Sequence, residues 1–135
     1  MPAPSPIAAA ALVFAGGGTG AVLRYQFGRW MTHMLGPQVV STFPWATLAV
    51  NVIGSLAMGL LAGWLARHGS GGETTRLLVG VGLLGGFTTF SAFSLELVLL
   101  IERGQYLFAA LYLILSVALG VTGLIFGLTM MRLFG

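Results

Sequence analysis

VGVGLLGGFTTFSAFSLE, Val79 to Glu96, is the stretch on which the fold turns. It lies inside a hydrophobic run long enough for a membrane helix, yet two adjacent glycines and two adjacent threonines interrupt it at its middle. Gly-Gly is a poor helix former, and non-helical backbone at membrane depth is tolerated only where it is buried in protein or faces water. A helix broken here frees peptide groups to meet an ion, as in transporter folds whose discontinuous helices aim carbonyls at a cation and N-termini at an anion. The alternative is a close-packing spot at Gly85-Gly86, with Thr88 and Thr89 bonded back to their own helix. Just beyond, Phe90 and Phe93 fall three apart and share one face, while Ser91 and Ser94 make an adjacent polar face. An aromatic edge carries partial positive charge, so ring edges beside hydroxyls can line a path for an anion without the tight grip of a full cation. Read as an ordinary core or lipid-facing pair, the two rings carry no function.

Outward from this stretch, the chain is composed for lipid. Of its 135 residues 57% are hydrophobic and 7% charged, the charges being six Arg and three Glu. A soluble domain usually carries about a quarter charged residues, so these are too few to coat a water-facing surface. A bilayer core of roughly 30 Å takes about 20 apolar residues per helix. Four such runs occur, over about residues 7–30, 45–66, 76–101 and 106–133. The expected fold is therefore an all-α membrane protein of four transmembrane helices, one domain over residues 1–135, with the third helix broken at mid-membrane. Gly36-Pro37 and Pro44 punctuate the first connection, which reads as turn or interfacial structure. No Lys or Arg precedes Arg24, and the apolar run continues past the small residues after Ala15, so the N-terminus reads as the first span and not as a signal peptide.

Composition also excludes whole classes of function. The net charge of +3 comes from scattered arginines with no basic stripe to track a phosphate backbone, so nucleic acid is not an expected partner. Without cysteine, and with only His33 and His68, the chain offers no disulfide, thiolate site or histidine cluster. The Gly16-Gly17-Gly18-Thr19-Gly20 run lacks the preceding strand and the Lys of a phosphate loop, and no nucleophile-base pair is visible, so the chain is not read as an enzyme.

Arginine distribution bears on orientation. Arg67, Arg76 and Arg132 flank one side and Arg29 and Arg103 the other, with Arg24 inside the first span. Basic asymmetry sets topology, and three against two is almost none; both insertions, and hence an antiparallel homodimer, are compatible with it. Gly16/Gly20, Gly59/Gly63, Gly82/Gly86 and Gly123/Gly127 carry the four-residue spacing that lets helix backbones approach closely in lipid, and are read mostly as ordinary packing.

The remaining intramembrane polar groups are candidates for function. Thr47, Asn51 and Ser55 form one stripe on the second span. The Asn51 amide can either glue two helices together or present N–H groups to a passing anion. Tyr112 and Ser116 share a face of the fourth span. Arg24 and Glu96 are the ionisable groups at depth; such groups are costly and often functional. Arg24 either snorkels to the interface or sets a positive potential at a vestibule, and Glu96 either pairs with an arginine or sits where the third span nears water. Both are read as electrostatic or structural residues rather than proton carriers.

Read together, GGGTGAVLRY (Gly16 to Tyr25), WATLAVNVIGS (Trp45 to Ser55) and GGFTTFSAFSLE (Gly85 to Glu96) resemble the small fluoride channel family, the Fluc or CrcB-type fluoride ion exporters. Order, spacing and four-span length agree over the whole chain. The resemblance implies a passive fluoride channel of a bacterial-type inner membrane: a dual-topology homodimer with two antiparallel pores and a central structural sodium ion. By matching positions, the backbone carbonyls of Gly85 and Thr88 hold the sodium, and Phe90 and Phe93 are the rings of the fluoride path. Asn51 is its amide donor, with Thr47, Ser91, Ser94, Tyr112 and Ser116 as neighbouring polar lining. Arg24-Tyr25 matches the family's first-helix motif. Two positions depart from it: Ala92 stands where members commonly carry Thr, which removes one lining hydroxyl, and Ala46 stands where many carry Gly, which alters packing.

The nearest rival is a small multidrug-type proton antiporter, also four-span and dual-topology; it needs an acidic residue in the first helix, and here that helix has none. A non-transporting membrane scaffold, its polar stripes serving helix association alone, is the second.

Overall fold

The computed structural model of the protein describes residues 4–134, with Ser70 and Gly71 described by backbone alone; residues 1–3 and 135 of the domain expected from the sequence lie outside it. The Ser5 hydroxyl accepts the Ala8 amide at 3.3 Å and Pro6 occupies the first helical turn, where its missing N–H is no loss. From there α1 runs Pro6–Leu35 and stops at Gly36, whose φ of 86° a residue with a Cβ would resist. The sequence places the end of this span near Trp30; helical propensity carries it on until the glycine intervenes. A short α2 (Pro37–Thr42) lies in the first connection, and Pro44 precedes α3 (Trp45–His68). Gly69–Gly72 form a 3-10 turn into the third span.

That span is composite. α4 (Glu73–Thr75) passes into a π-helical stretch, Arg76–Leu84, and then into α5 (Gly85–Phe87). Thr88 (φ −84°, ψ 158°) and Thr89 (φ −152°, ψ 122°) are extended, and α6 (Phe90–Glu102) begins after them. The break expected between the paired glycines and the hydroxyl-aromatic segment is therefore present, and it falls on the two threonines. Gly104, with φ 71°, turns the chain into α7 (Tyr106–Phe134). Four helical segments are long and apolar enough to cross a membrane: α1, α3, residues 73–102 and α7.

The spaced glycines assemble these helices in pairs. A Cβ on Gly16 would fall on the Leu78 carbonyl oxygen, one on Gly20 on that of Leu83, and one on Gly86 on that of Gly17. So α1 lies backbone to backbone against residues 73–87. In the same way a Cβ on Gly59 would meet the Leu124 carbonyl and one on Gly127 that of Leu56, which zips α3 to α7. The packing role expected for these glycines is the one they fill. The small interior consists of Phe43, Leu48, Phe93, Leu100, Ala109 and Tyr112, while large side chains such as Ile7, Phe14 and Phe126 point outward. An apolar surface of this extent is at home only in hydrocarbon.

Candidate functional site

Both backbone groups of Thr89 are held by one side chain from α3. Asn51 Oδ1 accepts the Thr89 N–H at 2.8 Å, and Asn51 Nδ2 donates to the Thr89 carbonyl at 3.0 Å. In a continuous helix the Thr89 amide would bond the Gly85 carbonyl four residues back, so Asn51 draws off that carbonyl's partner. The Ala92 amide, which would bond the Thr88 carbonyl, instead meets Thr89 Oγ1 at 3.1 Å as the N-cap of α6. Gly85 and Thr88 are thus the two residues whose ladder amides are captured by side chains. The Thr88 hydroxyl bonds back to the Leu84 carbonyl at 2.8 Å, as the packing alternative has it; that of Thr89 does not.

A third clamp comes from α1. Arg24 Nε donates to the Gly86 carbonyl at 3.2 Å, so a cation sits at the negative end of residues 73–87 and satisfies one orphan carbonyl there. Gly16, Gly20, Arg24, Gly28 and Thr32 form one stripe at four-residue spacing. Its first two members pack on residues 73–87, and past the end of that half-helix the last three line an open cleft of about 540 Å³ with Arg29, Thr47, Thr89 and Glu96. Arg24 therefore has a definite hydrogen-bond partner as well as a place in the lining of this cleft.

Glu96 is among the residues that line this cleft. Among the described residues no arginine pairs with it; Thr47 Oγ1 donates to its Oε1 at 2.8 Å and Tyr112 Oη to its Oε2 at 2.7 Å. The arginine pairing considered from sequence is replaced by hydroxyl donors from α3 and α7, which join three helices at one carboxyl group. Tyr112→Phe leaves one carboxyl oxygen without its donor and is expected to lower unfolding stability by about 1–3 kcal/mol, as measured by thermal denaturation in detergent.

A second cavity, of about 330 Å³, lies between α3, the break and α7. Its walls include Asn51, Ser55, Thr88, Phe90, Phe93 and Ser116. The Phe90 and Phe93 ring centroids are 5.7 Å apart, as their shared face requires. Phe93 is buried and leans on Tyr112 at 5.1 Å, whereas Phe90 is 79% exposed. Ser116 Oγ is buried without a hydrogen-bond partner among the described residues. A buried hydroxyl without a partner is costly, and this one lines the cavity. Thr89 lines both cavities.

The expected site residues thus fall into separate groups. Asn51, Thr88, Phe90, Phe93 and Ser116 converge on the inner cavity, and Thr47, Arg24 and Glu96 line the outer cleft. Tyr112 is fully buried behind them. Ser94 Oγ bonds back to the Phe90 carbonyl at 2.9 Å, and Ser91 Oγ lies 3.3 Å from Thr89 Oγ1; neither serine lines either cavity. Ser55 and Thr89 are additional lining residues; Ser55 was visible as the end of the Thr47-Asn51-Ser55 stripe, whereas nothing local marked Thr89 as the clamped position.

Comparison with known proteins follows the same lines. A family model described as "CrcB-like protein, Camphor Resistance (CrcB)" matches residues 11–128. The chain is 62% identical over 124 residues to a protein of Novosphingobium aromaticivorans named fluoride-specific ion channel FluC, covering 92% of this chain and 96% of that one. Proteins of the same name from Erythrobacter litoralis (58% over 130 residues, 96% of each chain) and Phenylobacterium zucineum (54% over 122 residues, 90% of this chain and 93% of that one) are similar at comparable levels.

Proposed function

The chain belongs to the CrcB family, and from that premise we propose that it is a passive fluoride channel, a multi-pass protein of the bacterial plasma membrane. The observation that carries the reading is the inner cavity at the break, where Asn51, Ser55, Ser116 and two phenyl rings meet at membrane depth. Fluoride must trade its water for donors strong enough to admit it and weak enough to release it. The unpartnered Ser116 hydroxyl, the amide hydrogen that Asn51 does not spend on Thr89, and the ring edges of Phe90 and Phe93 supply such donors. Arg24 and Arg29 raise the anion concentration in the outer cleft. A potential negative inside drives an anion outward with about 2.3 kcal/mol per charge per 100 mV, so neither nucleotide nor proton coupling is needed. Neutral hydrogen fluoride that enters and ionises in the cytoplasm then leaves as the anion.

The working unit of this proposal is an antiparallel homodimer with two pores. Phe90, 79% exposed, and the exposed Gly85 lie at mid-membrane on a face that a second copy would cover. Charge supports mixed insertion: Arg67, Arg76 and Arg132 with Glu73 lie toward one end and Arg29 and Arg103 with Glu102 toward the other, an almost even balance. A sodium ion fits the break, because a hard cation takes oxygen ligands and the Gly85 and Thr88 carbonyls are released from the helix ladder. Those two carbonyls from each copy would hold it, and the ion would neutralise the ends of two half-helices.

The test is fluoride efflux from liposomes holding the purified protein. Efflux that requires charge compensation and ignores a pH gradient is the expected result; folded protein that passes no fluoride would leave the scaffold reading in its place. Reporters active on opposite sides of the membrane, fused to the C-terminus, should both give signal if insertion is mixed.

A further inference from the structure

We propose that Asn51 is the positioning residue for the cation site, acting through Thr89 rather than touching the ion. The Thr89 amide has two possible acceptors, the Gly85 carbonyl in a continuous helix and Asn51 Oδ1 in the broken one; the structure has the second, at 2.8 Å. The return bond from Asn51 Nδ2 to the Thr89 carbonyl, at 3.0 Å, makes the choice bidentate, as a neighbouring strand would. An extended residue in the middle of a lipid-embedded span has no water to satisfy it. One side chain, reaching across from α3, stands in for that water at both polar groups of Thr89. The Thr89 hydroxyl then does the same for Ala92, at 3.1 Å. The position of Asn51 reinforces this assignment. It lies one helical turn from Gly54, where a Cβ would run into the Thr88 methyl, so only a residue without a side chain at that position lets α3 come this close to the break.

The inference rests on the sodium reading above and extends it: losing Asn51 should weaken cation binding as well as remove one donor from the anion path. The measurement is the rise in unfolding temperature of the purified full chain when N-methylglucamine is replaced by sodium. Asn51→Leu, similar in size with neither acceptor nor donor, is expected to weaken apparent sodium affinity by about tenfold to a hundredfold, the scale of an unmet buried amide. Thr47→Val removes a hydrogen bond one turn away on the same stripe and should leave the sodium dependence at the wild-type level even where conduction falls. Asn51→Asp keeps an acceptor for the Thr89 amide and should keep the sodium-dependent rise; it also serves if Asn51→Leu yields no folded protein. A full rise in Asn51→Leu, or its loss in Asn51→Asp, overturns the inference. No rise in the wild type removes the sodium reading itself, an outcome distinct from either.

Discussion

Phe93→Ile is expected to cut fluoride efflux from liposomes about a hundredfold, equivalent to about 2.7 kcal/mol of lost stabilisation along the path. Isoleucine fills much of the space and keeps the helix face apolar, so folding should lose only about 1 kcal/mol. What it lacks is a ring rim. The Phe93 ring lies between Phe90, at 5.7 Å, and Tyr112, at 5.1 Å, and borders the inner cavity, so it is held beside the space an anion would cross. Phe90→Ile tests the same chemistry with less structural risk, because Phe90 is 79% exposed. Efflux at the wild-type rate from either variant, with assembly intact by size-exclusion chromatography, would remove aromatic edges from the mechanism.

The second large effect is structural. Gly86→Ala adds a single methyl group that would land on the Gly17 carbonyl oxygen, and both sides of that contact are helix backbone. Overpacking among side chains costs about 1–3 kcal/mol; here no side chain can swing aside, so a greater loss and a sharp fall in folded yield are expected. The displaced half-helix would also draw its Gly86 carbonyl away from Arg24. Gly18→Ala is the control, since nothing lies within 4 Å of its would-be Cβ, and alanine there improves helix propensity by up to about 1 kcal/mol. Equal thermal stability for the two variants would show that close backbone approach is not what holds α1 to the third span.

How far the sequence reveals this molecule depends on the range of the interaction concerned. Span lengths, and the interruption after Gly85-Gly86, are local and legible, because each follows from hydropathy and from what lipid permits. The location of the extended pair is not local: it is Asn51, distant in sequence, that offers Thr89 an alternative to its own helix. Spacing identified the glycine pairs, but only the tertiary structure assigns Gly16 and Gly20 to residues 73–87 and Gly59 to α7. Glu96 illustrates the same limit. Its depth marked it as costly, yet its donors come from two other spans, and hydroxyls of Thr47 and Tyr112 serve where an arginine was considered. Ser91 and Ser94 were marked by their nearness to the rings, but Ser94 spends its proton on its own helix.

The two glycine-zipped pairs have a consequence for how such a molecule conducts. Each is stiff, because backbone rests on backbone, and the inner cavity opens along the join between the α3–α7 pair and the broken span, not down the middle of a bundle. A crevice of that kind needs no swinging gate and offers little to swing. Selectivity must then reside in the chemistry of its walls, and the polypeptide would work as a standing leak whose direction is dictated by voltage and concentration alone.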